Sequence, residues 1–283
     1  MVEATETTRS GSDRTAVLAG NGRLPELLAR ELRQSGHEPF CVSMDGEAGG
    51  WISQFGHVGL KSIEIGRLVR ALKTNNVNRI VLAGGIRARP SLWFLRPDWV
   101  TLTNLWGLYK ALGKGDDALL RSVIEMLEEQ GFEVAGAQDI IPDLIAPIGV
   151  LTKTLPTQAQ ARDRDLAFEA ALSLGRRDAG QAAIAAAGEI VAVEDARGTD
   201  AMLAGVKVSH GNGVLAKVVK PQQDHRADLP SIGPETVDNA ARAGLAGIAV
   251  SAGSSLILDR DEVIRRADAA GIFVEGCKME AAQ

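Results

Sequence analysis

Cysteine is almost missing from this chain: 283 residues hold two, Cys41 and Cys277, both in apolar surroundings and neither in a C-x-x-C spacing. That excludes a disulfide framework and predicts two free, buried thiols in a reducing compartment. Long apolar runs are missing too, since none approaches the roughly 18 residues that a bilayer-spanning helix needs. Residues 1–13 carry acids where a signal peptide would carry bases, and they have no apolar centre. They read as a disordered tail on a cytoplasmic protein. Basic charge is in deficit, with Lys+Arg at 31 against Asp+Glu at 36 and a net charge of −5. A general affinity for nucleic acid is therefore excluded, because neutralising phosphates needs a basic surface. Aromatic residues make up 4% of the chain and are unevenly placed. Three of the four tryptophans and the single tyrosine fall within 87–114, mixed with five bases and one acid, Asp98. Such a mixture suits a membrane interface or an acyl-chain pocket as well as it suits an aromatic core.

The rest is ordinary globular material, 45% hydrophobic and 24% charged, in a length that suits two domains. Short apolar runs alternate with segments of helical period. A strand over 16–20 leads to a helix over 23–34 and a strand in "PFCVSM"; a helix over 63–73, a strand over 79–83, a helix over 116–130 and a strand over 132–134 follow. Alternation of this kind predicts a parallel, Rossmann-like sheet over 14–148. Between 149 and 160 the periodicity lapses among prolines, which reads as a hinge. A second α/β domain over 161–283 opens with an Ala-rich helical stretch over 161–187. Strands over 190–193, 214–219, 246–250 and 272–274 and helices over 200–206 and 262–270 complete it.

Several stretches carry chemistry. "GNGRLP" at 20–25 joins the first strand to the first helix, where backbone N–H groups of Gly20, Asn21, Gly22 and Arg23 favour an anion. Pro25 stands where a dinucleotide fingerprint would have its third glycine. A tight βα turn with proline in the first helical turn accounts for it equally well. "AGGIRARP" at 83–90 is a second glycine turn, with Gly84 and Gly85, and a shared phosphate crevice follows if the two strands are neighbours. Asp116 or Asp117 in "GDDALLR" fits a helix cap. "VEDARGTDAML" leaves a strand through Glu194 and Asp195 and enters a helix at Thr199 or Asp200. "KVVKPQQDHRAD" leaves a strand through Lys220, Gln223, Asp224, Arg226 and Asp228. Two carboxylates can hold a hydrated divalent cation, and the two bases can hold phosphate oxygens, the combination used in metal-assisted phosphoryl chemistry. A self-neutralising cluster of loop ion pairs is the competing reading, and His225, without a second histidine at ligand spacing, reads as a bystander.

Taken in order, "GNGRLPELLA", "VLAGGIRARPSL", "GDDALLRSVIEMLEEQGFEVAGAQDIIPDLIAPIG", "VEDARGTDAML" and "KVVKPQQDHRADLPSIGPETV" resemble the UDP-2,3-diacylglucosamine pyrophosphatase family of lipid A biosynthesis, of the alphaproteobacterial type. The resemblance runs from about Arg14 to the C-terminus. It implies two α/β domains with a ligand cleft between them and a Mg²⁺-dependent hydrolase that splits UDP-2,3-diacylglucosamine into UMP and 2,3-diacylglucosamine 1-phosphate, water attacking the α-phosphorus. It also implies Lys220, Asp224, Arg226 and Asp228 as catalytic residues, with Mg²⁺ on Asp224 or Asp228. Gln223, Thr236, Glu194, Asp195, Thr199 and Asp200 would contact substrate. Peripheral contact with the inner membrane fits a diacylated substrate, and whether the chain pairs as a homodimer is left open. Two rival readings are a nucleotide-dependent oxidoreductase on the first βαβ unit, with Asp45 as ribose acid, and a non-catalytic lipid or nucleotide carrier.

Overall fold

The computed structural model describes residues 14–61, 64–85, 116–209 and 211–278. These form two compact units, the last passage from one to the other falling after Ala135. In the first unit the elements are β1 (Arg14–Ala19), α1 (Leu24–Gln34), β2 (Phe40–Met44), β3 (Gly56–Leu60), α2 (Ile65–Thr74), β4 (Val77–Ala83), α3 (Asp116–Glu129), of which the residues before Ser122 count with the second unit, and β5 (Glu133–Ala135). The strands lie in the order β3-β2-β1-β4-β5, and every pairing is parallel.

The central strands read as continuous apolar runs because parallel strands are covered on both faces. Ala16 to Ala19 and all of β2 are buried accordingly. α1 starts with Pro25 in its first turn, where a missing N–H costs nothing, and buries Leu28, Ala29 and Leu32 on one stripe. β3 was not among the expected strands. Its sequence GHVGL has two glycines, and only Leu60 is buried, so an edge position leaves little apolar signal. The strand order reverses between β1 and β4, so the C-terminal ends of these neighbours flank the switch point of the sheet.

The second unit contains the turn α4 (Ala137–Ile140), β6 (Gly149–Val150), α5 (Gln158–Arg176), β7 (Ala182–Ala186), β8 (Glu189–Val193), α6 (Thr199–Gly205), β9 (Val214–Lys217), β10 (Ser231–Ile232), α7 (Pro234–Ala243), β11 (Gly247–Ser251), β12 (Leu256–Ile257), α8 (Arg260–Ala270) and β13 (Phe273–Cys277). Its main sheet runs β6-β13-β11-β9-β7-β8. β9, β11 and β13 are parallel, while β6, β7 and β8 each run antiparallel to the strand that precedes them toward the centre. One face packs Ile184, Leu215, Ile248 and Val274 against Leu203 of α6, Val237 of α7 and Val263 of α8. The other sets Ala183, Ala216 and Val218 under Ala167 and Ala171 of α5.

Two expectations need correction here. The helical stretch over 161–187 is two elements: α5 stops at Arg176, Asp178 takes φ 53°, and 182–186 is a fully buried strand. Alanine has the highest helix propensity, but in AAIAA the small side chains serve a central strand roofed closely by α5, and tertiary packing overrides propensity. The stretch over 149–160, expected as a hinge, begins as β6 on the edge of the second sheet. It ends in the capping box of α5, where Thr157 Oγ1 accepts from Gln160 N at 3.3 Å and Gln160 Oε1 accepts from Thr157 N at 2.8 Å. T-x-x-Q was the readable signal for that helix start. α7 was also overlooked, although Pro234 in its first turn and Gly244 at φ 82° after it are the usual start and stop signs.

Candidate active site

In the first unit the two glycine turns meet. Gly20 N donates to Ala83 O at 2.9 Å and Asn21 N to Gly85 O at 2.8 Å, which joins the ends of β1 and β4. A Cβ at Gly20 would stand 2.5 Å from the Gly85 carbonyl oxygen, and one at Gly84, which has φ +81°, would run into the Asn21 carbonyl. The close approach of the two backbones therefore demands these glycines, whatever binds there. Gly22, Arg23, Gly84 and Gly85 are exposed at the switch point, with Arg23 paired to Glu26 at 2.6 Å. Arg87 and Arg89, and the aromatic and basic segment 87–114 as a whole, lie outside the described residues.

In the second unit the charged stretch after β9 folds into a tight loop. Gln223 N donates to Lys220 O, and both Ala227 N and Asp228 N donate to Asp224 O. Asp224 holds Arg226 in a two-point fork, Oδ1 to Nε at 3.0 Å and Oδ2 to Nη2 at 2.8 Å, and it also accepts from Arg226 N. That hydrogen bonding holds the Asp224 carboxyl below its usual range. Lys220 Nζ lies 2.8 Å from Asp178 Oδ1, its stem packed against Gly175. Gln223, buried, donates to Asp228 Oδ2 at 2.6 Å and receives the Lys220 N–H on its own Oε1 at 2.9 Å. His225 is exposed, and its carbonyl accepts from Gln138.

β8 and β9 both run antiparallel to β7 between them, so their C-terminal ends reach one edge. Glu194, just past β8, is buried and accepts from Gln181 N and from the Thr199 hydroxyl, each at 2.7 Å. Asp200, in the first turn of α6, accepts from Asn239 Nδ2 at 3.1 Å. Thr236 caps α7 through Gly233 N. Asp195 does not join this group. Successive residues leaving a strand face opposite ways, and Asp195 is 54% exposed in a fork with Arg197.

One residue that sequence reasoning overlooked stands level with Glu194 across β7. Lys217 ends β9, donates to Ser231 O at 3.0 Å, and lies in the field of Glu194, Asp200 and Asp228. Burial pulls its ammonium below the ordinary lysine value while those three carboxylates pull it back up. A charge embedded in VLAKVV, on the core-facing parity of Leu215, was the available signal.

Among the described residues, no three His, Cys, Asp or Glu side chains converge into a ready cation cage. A magnesium ion needs less, one or two carboxylates with water and substrate phosphate completing its shell. Asp228, with one oxygen bonded by an amide, fits that demand, whereas Asp224 would first have to release Arg226. The arrangement can thus present carboxylates and bases to a phosphate group on one loop.

The chain matches the family model described as the LpxI N-terminal domain over residues 14–144 and that of the LpxI C-terminal domain over 147–275. It is also 38% identical, over 92% of its own length and 96% of the relative's, to the UDP-2,3-diacylglucosamine pyrophosphatase LpxI of Caulobacter vibrioides. With both domains matched in order and a likeness of that extent, the chain belongs to the LpxI family.

Proposed function

We propose that this protein hydrolyses the pyrophosphate of UDP-2,3-diacylglucosamine to UMP and 2,3-diacylglucosamine 1-phosphate, a step of lipid A biosynthesis. The observation that carries the reading is the near full-length likeness to a relative of that named activity. The loop 220–228 supplies suitable chemistry. A pyrophosphate diester resists water because its negative oxygens repel a nucleophile, so the site must offset charge and aim the water. Lys220 and Arg226 are the bases we assign to phosphate oxygens. Asp224 fixes the orientation of the Arg226 guanidinium, and Gln223 fixes that of Asp228. Asp228 is the carboxylate we assign to Mg²⁺ first, with Asp224 the alternative; the ion would lower the pKa of a bound water and offset phosphate charge. Glu194, Thr199, Asp200 and Thr236, and in the first unit the turns 20–23 and 84–85, are the proposed substrate contacts. We place the reaction in the cytoplasm.

The test is hydrolysis of UDP-2,3-diacylglucosamine in H₂¹⁸O, with the label followed by mass spectrometry. Attack at the α-phosphorus puts ¹⁸O in UMP, whereas label in the glycolipid phosphate would overturn that assignment. Exhaustive chelation should abolish turnover and added Mg²⁺ restore it. Undiminished hydrolysis after chelation would remove the metal from the reading, and no hydrolysis under any condition would remove the function.

A further inference from the structure

We propose that Lys217 is a positioning residue of this reaction: from the end of β9 its ammonium is the shared countercharge that gathers Glu194, Asp200 and Asp228 at one edge of the sheet. The inference rests on the hydrolase reading above and adds to it a residue outside the charged loop.

The strand register makes the placement specific. Ala182 of β7 pairs with Lys217 on one side, and its carbonyl accepts from Glu194 N at 2.9 Å on the other. Glu194 and Lys217 are therefore level with one another, one strand apart. By strand period Lys217 shares the face of Leu215, which packs with Met202 and Leu203 of α6 and Val237 of α7. That is the face on which α6 carries Asp200. The third carboxylate arrives from the loop, Asp228 being tied through Gln223 to the N–H of Lys220, a short way past the end of the strand.

Glu194, Asp200 and Asp228 reach the same end of the sheet without closing into a three-ligand cage, and a buried ammonium within their field offsets the repulsion among them. The two bases of the loop have named partners of their own, Lys220 with Asp178 and Arg226 with Asp224. Lys217 is a base whose ammonium lies in the field of all three acids, one from a strand end, one from a helix and one from the loop. Its hydrogen bond to Ser231 O adds a second effect. Ser231 opens β10 just beyond the loop, so one side chain ties the far end of the loop to the strand from which the loop departs. Removing the charge should leave the fold standing but let Asp228 drift from its working position.

The experiment compares wild type, Lys217→Met and Lys217→Arg, by thermal melting and by steady-state kinetics on UDP-2,3-diacylglucosamine. Wild-type turnover comes first: its absence sinks the function and this inference together, and its presence makes the remaining outcomes report on Lys217 alone. We expect Lys217→Met to melt as a folded protein with kcat lower by on the order of 10²-fold and KM within about threefold of wild type. Lys217→Arg, which keeps the charge, should recover at least about tenfold of that loss. Turnover of Lys217→Met within about threefold of wild type overturns the proposal. So does a raised KM at unchanged kcat, which would make Lys217 a plain binding contact, and so does an arginine variant as slow as a folded methionine variant. If Lys217→Met fails to fold, Lys217→Gln, which retains a donor for Ser231 O, takes its place under the same criteria. Failure of both to fold would make Lys217 a structural ion and end the proposal.

Discussion

Asp224 and Arg226 form a pair that closes a loop and that the proposed reaction would also use for chemistry. The fork closes a loop in which the carboxylate is 15% exposed and the guanidinium 39% exposed, so a stranded Arg226 can still be hydrated. Loss of the acid's charge should then cost the fold little, about 1 kcal/mol, because the partner left behind stays partly solvated. Asp224→Asn is expected to melt within a few degrees of wild type and to lose turnover on the order of 10²-fold, because the neutral amide no longer fixes the guanidinium or offers a charge to water or metal. Full activity would make the pair a loop staple and nothing more. The sign with pH follows from the lowered carboxyl value. What the pair contributes to stability is complete above the unfolded aspartate value of about 3.9 and fades as pH falls through the lower folded one. At pH 7 the wild type and Asp224→Asn should therefore differ by their full, small amount, and the gap should close only in strong acid. The cysteines sit at the other extreme. Burial pushes both thiols up to about 12, which suits inert residues, although only Cys41 is fully buried as expected and Cys277 is half-buried.

At the scale of elements, the packing of α5 on the second sheet depends on small side chains. Ala171, Ala183 and Val218 are fully buried in one cluster, with Ala167, Ala185 and Ala216 in the next. Small residues on both surfaces let a helix and a strand approach closely, and added methylenes have no cavity to enter. Ala183→Leu should destabilise the protein by about 1–3 kcal/mol, read as a lower denaturant midpoint at unchanged slope. An unaltered midpoint would mean that α5 yields easily. The same crowding explains why AAIAA forms a strand. Between β8 and β9 it completes a hydrogen-bonding ladder on both sides, which outweighs the helix preference of its four alanines. β7 in turn sets Glu194 and Lys217 level, so a substitution that shifts this register would disperse the carboxylates without touching any of them.

For the whole molecule, no helix among the described residues is long and apolar enough to cross a membrane. The proposed substrate nevertheless carries two acyl chains, and the net charge of −5 opposes a general attraction to anionic lipid. Any attraction must be local. Segment 87–114 holds five bases against one acid, together with Trp93, Trp99 and Trp106, a composition suited to head groups and acyl chains. We expect Trp93→Ala or Trp99→Ala to raise KM for the diacylated substrate by about tenfold or more, since each buried methylene is worth about 0.8 kcal/mol. Cosedimentation with anionic vesicles should fall in parallel. An unchanged KM with a lower melting temperature would place these rings in a core and leave the acyl chains to be held elsewhere.

The sequence by itself determined the features that depend on near neighbours. Apolar runs of strand length, helical stripes such as Leu28 and Leu32, and the glycine turns after β1 and β4 are local patterns of period two or 3.6, and they predicted the interleaved α/β order. Of the candidate site, the tight charged loop 220–228 was legible as a loop because so many charges and amides follow one apolar run. The tertiary structure decided who faces whom. That Lys220 meets Asp178, that Arg226 turns back on Asp224, that Asp195 leaves the cluster and that Lys217 enters it could not be read from spacing. Glu194, Asp200, Lys217 and Asp228 are spread over 35 positions of the chain. Glu194 and Lys217 stand level only because β7 runs antiparallel to both of its neighbours in a fixed register, and register is set by the packing of both sheet faces at once.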